Sequence, residues 1–307
     1  MSHISFVFPF YNEEQTLPLL IKRITEVMSK EQDNYEMIFV NDASTDNSAQ
    51  IIAREARRIN KGSIVLVNMS RRFGVEESFL AGVQTAQGEA IILMYTDMQD
   101  PPEVVLQMLK FWKEGADIVH AIRRKRIGEH PLKKIAAFFA YRIIGNLAEI
   151  KIPYDAGEFK LISRKAATHL LSLPESEPYL RGLIPWIGFK QVFVDYDMQP
   201  RVAGKSKVAL FGKKAWSVFF SGIISFSNNP IYIILMMGVG GIFLSMVVVF
   251  LLMINVNLGW VDAPVALFIF LWAVLMLALG FLGLYILKIY KNTTGRPRYI
   301  VQEVIKF

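Results

Sequence analysis

The chain has 307 residues, a net charge of +7 and 53% hydrophobic residues, a length that suits one large domain with an appendage. It has no cysteine, so disulfide frameworks and thiolate metal sites are excluded. The positive charge leaves nucleic acid, a membrane surface or a phosphate-bearing partner open.

The first part alternates strand and helix patterns. Met1–Ser5 lacks the basic flank of a secretory leader and opens a strand over Ile4–Phe8. Leu17, Leu20, Ile21, Ile24 and Met28 keep helical spacing. Met37–Val40 reads as a second strand, and Ser44 is placed as the N-cap of a helix through Ile51 and Ile52. Ile64–Val67 is a third strand, followed by a helix through Phe79 and Val83. Ala90–Met94 is a fourth, and Pro101–Pro102–Glu103 opens the next helix. Ile118–Ala121 is a further strand, leading into the basic run Arg123–Arg124–Lys125–Arg126. Strands separated by helices imply an α/β fold with a mostly parallel sheet and helices on both faces.

The C-terminal part has another character. Lys205–Ser225 mixes Lys207, Lys213 and Lys214 with Leu210, Phe211, Trp216, Phe219 and Phe220, the pattern of amphipathic helices lying in a membrane interface. Ile231–Ile254 and Pro264–Leu287 are apolar runs without charge, each long enough to cross a hydrocarbon core of roughly 30 Å. The connector Asn255–Ala263 has no Lys or Arg, whereas Arg201, Lys205 and Lys213 precede the first run and Lys288, Lys291, Arg296 and Arg298 follow the second. That asymmetry predicts both termini in the cytoplasm and favours a membrane surface over nucleic acid. The division expected is a catalytic domain over 1–204, juxtamembrane amphipathic helices over 205–229, two transmembrane helices over 230–290 and a basic cytoplasmic tail over 291–307.

A polar cluster follows each of the first four strands: Pro9–Glu14, Asn41–Asp46, Ser70–Gly74 and Thr96–Asp100. Ligands of parallel sheets bind beyond the carboxyl ends of the strands, so the clusters are expected to line one crevice. No Gly-x-Gly-x-x-Gly and no Walker-type loop is present, which argues against standard dinucleotide and P-loop sites. Asp42 can accept from a base N–H, and Asp97 with Gln99 offers hard oxygen ligands for Mg²⁺ or Mn²⁺. Such an ion neutralises a leaving diphosphate.

Pro9–Glu14, Asn41–Asp46, Arg72–Phe73–Gly74, Asp97–Pro102 and Asp155–Leu161 resemble the family-two glycosyltransferases of GT-A fold. With Arg201–Lys207 and Gly295–Tyr299, the likeness extends to the polyprenyl-phosphate glycosyltransferases with two C-terminal spans. That group includes the bactoprenol glucosyltransferases, the undecaprenyl-phosphate aminoarabinose transferase and dolichol-phosphate mannose synthase. The resemblance implies an inverting transfer of one sugar from a nucleotide-sugar, UDP-glucose or a related UDP-sugar, to undecaprenyl phosphate for cell-surface glycan modification. It implies that Pro9, Tyr11, Asn12, Glu13, Asp42, Ser44 and Arg72 hold the donor, and that Arg123, Arg126 and Lys133 face phosphates. Arg201, Lys205 and Ser206 would face the lipid phosphate. Asp97, Asp155 and Glu158 would be catalytic, with Asp97, Gln99 and Glu158 around the metal. An inner-membrane homo-oligomer, with a tetramer as the candidate size, is implied as well.

The sequence departs from the family pattern in two motifs. Tyr95 stands where the metal motif has its first Asp, which should weaken metal binding or shift the load to Asp97 and Glu158; Arg72 and Val75 replace the usual Asn and Lys around the Phe-Gly turn. Three rival readings follow: a nucleotide-sugar-binding membrane scaffold permitted by Tyr95, a GDP-mannose-using dolichol-phosphate-type synthase, and a processive polysaccharide synthase. The last would need a Gln-x-x-Arg-Trp motif, which this sequence lacks.

Overall fold

The computed structural model describes residues 3–59, 61–126, 156–200, 229–253 and 263–307. The strands expected from the apolar runs form at the sheet centre as β1 (His3–Phe10), β2 (Asn34–Asn41), β3 (Ser63–Met69) and β4 (Ala90–Leu93). β5 (Ile118–Arg126), β6 (Ala156–Ser163), β7 (Gln191–Met198) and β8 (Val301–Lys306) complete an eight-stranded sheet in the order β7-β5-β6-β4-β1-β2-β3-β8. β3, β2, β1 and β4 are mutually parallel, which gives them near-continuous apolar sequences, since a parallel sheet is buried on both faces. β5 and β7 run in the same direction, while β6 and β8 are reversed.

One face is covered by α1 (Leu17–Met28), α2 (Ser48–Ala56) and α4 (Val104–Lys113). The other is covered by α3 (Val75–Thr85), α5 (Arg164–Ser172) and α6 (Leu180–Trp186). α3 lies close on β1 and β2 because Gly82 has no side chain: a Cβ there would stand 2.1 Å from Val7 Cγ1 and 3.1 Å from Val40 Cγ2. Two apolar helices follow, α7 (Asn229–Met253) and α8 (Ala263–Thr293). Among the described residues one stretch, Phe270–Thr293, is long and apolar enough to cross a membrane. The expected amphipathic helices over 205–229 lie almost wholly outside the described residues.

Two expectations change. The C-terminal residues are more than a basic tail: Val301–Lys306 pairs antiparallel with β3 as β8 and covers an edge that would otherwise be open. Ser44 is not the cap of α2. Asn47 holds that position, three residues later, and Ser44 instead spans two loops by accepting from the Asn12 N–H at 3.0 Å. The polar run 44–48 offers several competing cap residues, and the loop contact decides among them.

Candidate active site

β1 to β4 end at the same edge of the sheet, and the loops beyond β1, β2 and β3 are joined by side chains. Asp42, buried just after β2, accepts from the Phe73 N–H at 2.7 Å and the Gly74 N–H at 3.2 Å. It therefore fixes the loop after β3. Arg72 Nε lies 3.9 Å from Asp42, and its guanidinium carbon sits 3.9 Å from the centre of the Tyr11 ring. The Asn12 carboxamide exchanges hydrogen bonds with Thr45, accepting from its N–H at 2.8 Å and donating to its hydroxyl at 3.2 Å. The Glu13 N–H donates to Ser48 Oγ at 3.0 Å, and the Glu14 N–H to Asp46 at 3.3 Å. Pro9, paired opposite Val40 inside the sheet, is buried below these loops. The donor residues expected from the sequence thus gather around the ends of β1, β2 and β3.

Each of the four loops contains a residue with positive φ: Asn12 at 53°, Ala43 at 56°, Gly74 at 132° and Met98 at 60°. For a residue with a Cβ that conformation costs roughly 1–2 kcal/mol, so the cross-loop hydrogen bonds must hold it. Asp97 lies half-buried beyond β4 and accepts from the Gln99 N–H at 3.2 Å. The Gln99 backbone carbonyl accepts from the Gln199 N–H at 2.9 Å, which ties this loop to the end of β7.

The reversal of β6 brings its N-terminal end to the same edge. Its register with β4 pairs Leu93 with Lys160, and two residues further on Tyr95 falls opposite Glu158. Glu158 is fully buried, 2.7 Å from Arg181 Nε and 3.9 Å from Lys160 Nζ. Its carboxylate is the counter-ion of two cations. Glu158 Oε2 and Lys160 Nζ, both inaccessible, have no hydrogen-bond partner, so the Coulomb attraction carries their contact. Burial and the Glu158 carboxylate push the Tyr95 phenol well above its ordinary value, and the same two causes raise the Glu76 carboxyl well above the carboxylate range. Burial lowers the Lys160 ammonium. Tyr95 packs edge-on against Phe79, with ring centres 5.5 Å apart.

Arg123 is placed differently from expectation. It donates to the Tyr196 hydroxyl at 3.0 Å and lies 3.6 Å from Asp100, to which Tyr196 itself donates. It reaches them across Gly157, where a Cβ would come within 2.7 Å of the guanidinium. That contact explains the glycine of the Ala156–Gly157–Glu158 motif: Arg123 ties β5 and β7 to the loop bearing Asp97. Asp155, Lys133, Arg201, Lys205 and Ser206 lie outside the described residues, as does the side chain of Arg126. Among the described residues no group of three or more His, Asp or Glu side chains is arranged to hold a metal ion. Sequence reasoning missed Arg181, Lys160 and Glu76. Lys160 carried a signal, a lysine within a strand that is buried throughout; Arg181 carried none.

His120, fully buried on β5, is hydrogen-bonded through Nε2 to Gln191 at 2.8 Å. Burial first and Lys160 second lower its pKa from 6.5 to about 3. Between those values the unfolded chain takes up a proton that the folded chain refuses, so stability falls as pH drops through this window. From pH 6.5 to pH 5 the loss is about 2 kcal/mol. Denaturant midpoints of wild type and His120→Gln in detergent at pH 7 and pH 5 should show a smaller acid loss in the variant.

The comparisons with known proteins follow the same line. The family model described as Glycosyl transferase family 2 matches residues 5–171. An uncharacterized glycosyltransferase (YkcC) of Bacillus subtilis (strain 168) is 39% identical over 305 residues, covering 97% of this chain and 93% of its own. A prophage bactoprenol glucosyl transferase homolog of Escherichia coli (strain K12) is 32% identical over 309 residues, covering 99% of each chain. Among solved structures, glucosyl-3-phosphoglycerate synthase from Mycobacterium tuberculosis in complex with Mn²⁺, UDP-glucose and phosphoglyceric acid superposes with a TM-score of 0.51 at 17% identity. It covers 73% of this chain and 79% of its own, and the likeness shows a shared GT-A-type fold. With a family match over more than half its length and relatives that align end to end, this chain belongs to glycosyl transferase family 2 and is a hexosyltransferase.

Proposed function

We propose that the enzyme transfers a single sugar from a nucleotide-sugar, UDP-glucose in the first instance, to polyprenyl phosphate at the cytoplasmic face of the inner membrane. The observation that carries this reading is the joining of three strand-end loops around Tyr11, Asp42 and Arg72, with Asp97 beyond β4 at the same sheet edge, in a chain that also contains an apolar helix of membrane-crossing length. Full-length relatives named as bactoprenol glucosyl transferases support the acceptor. Two spans, Ile231–Ile254 and Pro264–Leu287, with both termini inside, place the catalytic domain where cytosolic donors reach it.

The Tyr11 ring under the Arg72 guanidinium forms a platform for the donor's base, and Asp42 holds the neighbouring backbone. Asp97 with Gln99 would hold a divalent ion. One carboxylate is enough where substrate phosphates supply the other oxygens, as Mg²⁺ sites commonly arrange. The buried phenol of Tyr95 adds no anionic ligand. When bound, the ion offsets charge on the departing diphosphate.

The acceptor phosphate, whose second pKa is about 6, is already ionised near neutral pH. One of its oxygens attacks the anomeric carbon from the face opposite the diphosphate. A carbon–oxygen bond to the acceptor forms as the bond to the diphosphate breaks, and the electron pair leaves with the nucleoside diphosphate. The configuration inverts and no general base is required. The chain's task is to bring two anions together, and Arg72 and Arg181 are the fixed cations at the described part of the site.

Purified protein in lipid nanodiscs, given undecaprenyl phosphate, UDP-glucose and Mg²⁺ or Mn²⁺, should yield a glycolipid of one added hexose by mass spectrometry. Asp97→Ala should lower turnover at least 100-fold without loss of folding. Failure of the wild type with every common nucleotide-sugar would overturn the proposal in favour of the scaffold reading. Among the described residues nothing lies within 4 Å of a Cβ placed on Gly238, Gly240, Gly280 or Gly283, leaving room for a helix of another copy. A homo-oligomer is proposed on that ground, and crosslinking in native membranes should trap species larger than the monomer.

A further inference from the structure

α8 has 31 residues, roughly 46 Å of helix, and so outruns a hydrocarbon core of roughly 30 Å. Its C-terminal turns carry Lys288 and Lys291 and belong at headgroup depth. That end is bonded to the chain just before α6. The Ser176 hydroxyl donates to the Lys291 carbonyl at 2.8 Å, the Ser176 N–H to Asn292 Oδ1 at 3.0 Å, and Lys291 Nζ lies 2.6 Å from Glu177.

α6 begins at Leu180, three residues past Glu177. Its Leu180, Leu183 and Ile184 are buried against the sheet, and Arg181 is bonded to Glu158. At its far end Trp186 is 54% exposed. The turn that follows is held firmly, for the Gln191 carboxamide donates to the carbonyls of Pro185 and Gly188, each at 3.0 Å, while its oxygen meets buried His120. Lys165 Nζ stands 4.6 Å above the ring of Phe189 in the same turn.

An exposed tryptophan on a fixed turn, a lysine beside it, and a short stretch of chain hydrogen-bonded to the headgroup end of a membrane helix are the features of an interfacial contact. We propose that α6 and the turn after it rest on the lipid headgroup layer, with Trp186 as their anchor. Arg181 and Glu158 are thereby held at the depth of a lipid-borne phosphate. The inference rests on the reading of α8 as a membrane span, and it names a second contact with the bilayer, made by the catalytic domain itself.

The absence of native cysteine makes single-site labelling clean. A nitroxide is placed through Trp186→Cys, and as a control through Leu19→Cys on α1, which is 47% exposed in the wild type. Both full-length proteins go into nanodiscs of phosphatidylethanolamine and phosphatidylglycerol at about three to one. Collision with oxygen, which partitions into lipid, is compared with collision with a water-soluble nickel chelate. The oxygen-to-nickel ratio should be several-fold higher at position 186 than at position 19. Equal ratios would overturn the proposal, and so would a label shielded from both reagents, which would mean that protein covers the turn. In transfer assays Trp186→Ala should raise the KM for the lipid acceptor about fivefold with the donor KM unchanged, and Trp186→Tyr should restore it. A high oxygen ratio without any sugar transfer would retain the docking surface and reject the transferase reading.

Discussion

Parallel strands that stop together leave their last backbone groups without ladder partners, and a chain has to satisfy them with something else. Here side chains of one loop answer the backbone of the next: Asp42 takes the Phe73 and Gly74 amides, Ser44 takes that of Asn12, and Ser48 takes that of Glu13. The same contacts flank Asn12 and Ala43, both in left-handed backbone. Strain of this kind persists only where its surroundings over-determine it, and here it marks the carboxyl-end edge of the sheet. The loops form one unit because the strands end together, and the nucleotide-sugar reading depends on that unit.

The second theme is charge without water. Glu158, Lys160 and Arg181 are brought together by two separate facts: the reversed direction of β6 and the docking of α6. The buried Lys160 and the part-exposed Arg181 answer one fully buried carboxylate, and burial with Glu158 drives a second carboxyl, Glu76, towards the neutral form. Breaking one member of such a group is expensive, because an unpaired charge remains in low dielectric.

Much of the fold was legible in the sequence. β1 to β4 announced themselves by apolar runs, and α1 by its spacing, because two-sided burial leaves an unambiguous pattern. β7 and β8 escaped notice for a related reason. Both lie at sheet edges, with exposed residues such as Phe193 and Val304 that blur any alternation. The donor loops were legible because polar residues clustered after each strand. The partners of Arg123 and Glu158 were not, since Tyr196 and Arg181 lie 73 and 23 residues away in the chain and only the fold brings them near.

The convergence of the four loops on one nucleotide is most directly tested by hydrogen exchange of the full-length protein in nanodiscs with and without UDP and Mn²⁺. Amides in segments 10–14, 41–46, 70–74 and 95–100 should slow together on addition of the nucleotide, with the surface of α1 unchanged. Protection confined to one loop, or appearing elsewhere in the protein, would contradict a shared site at the sheet edge.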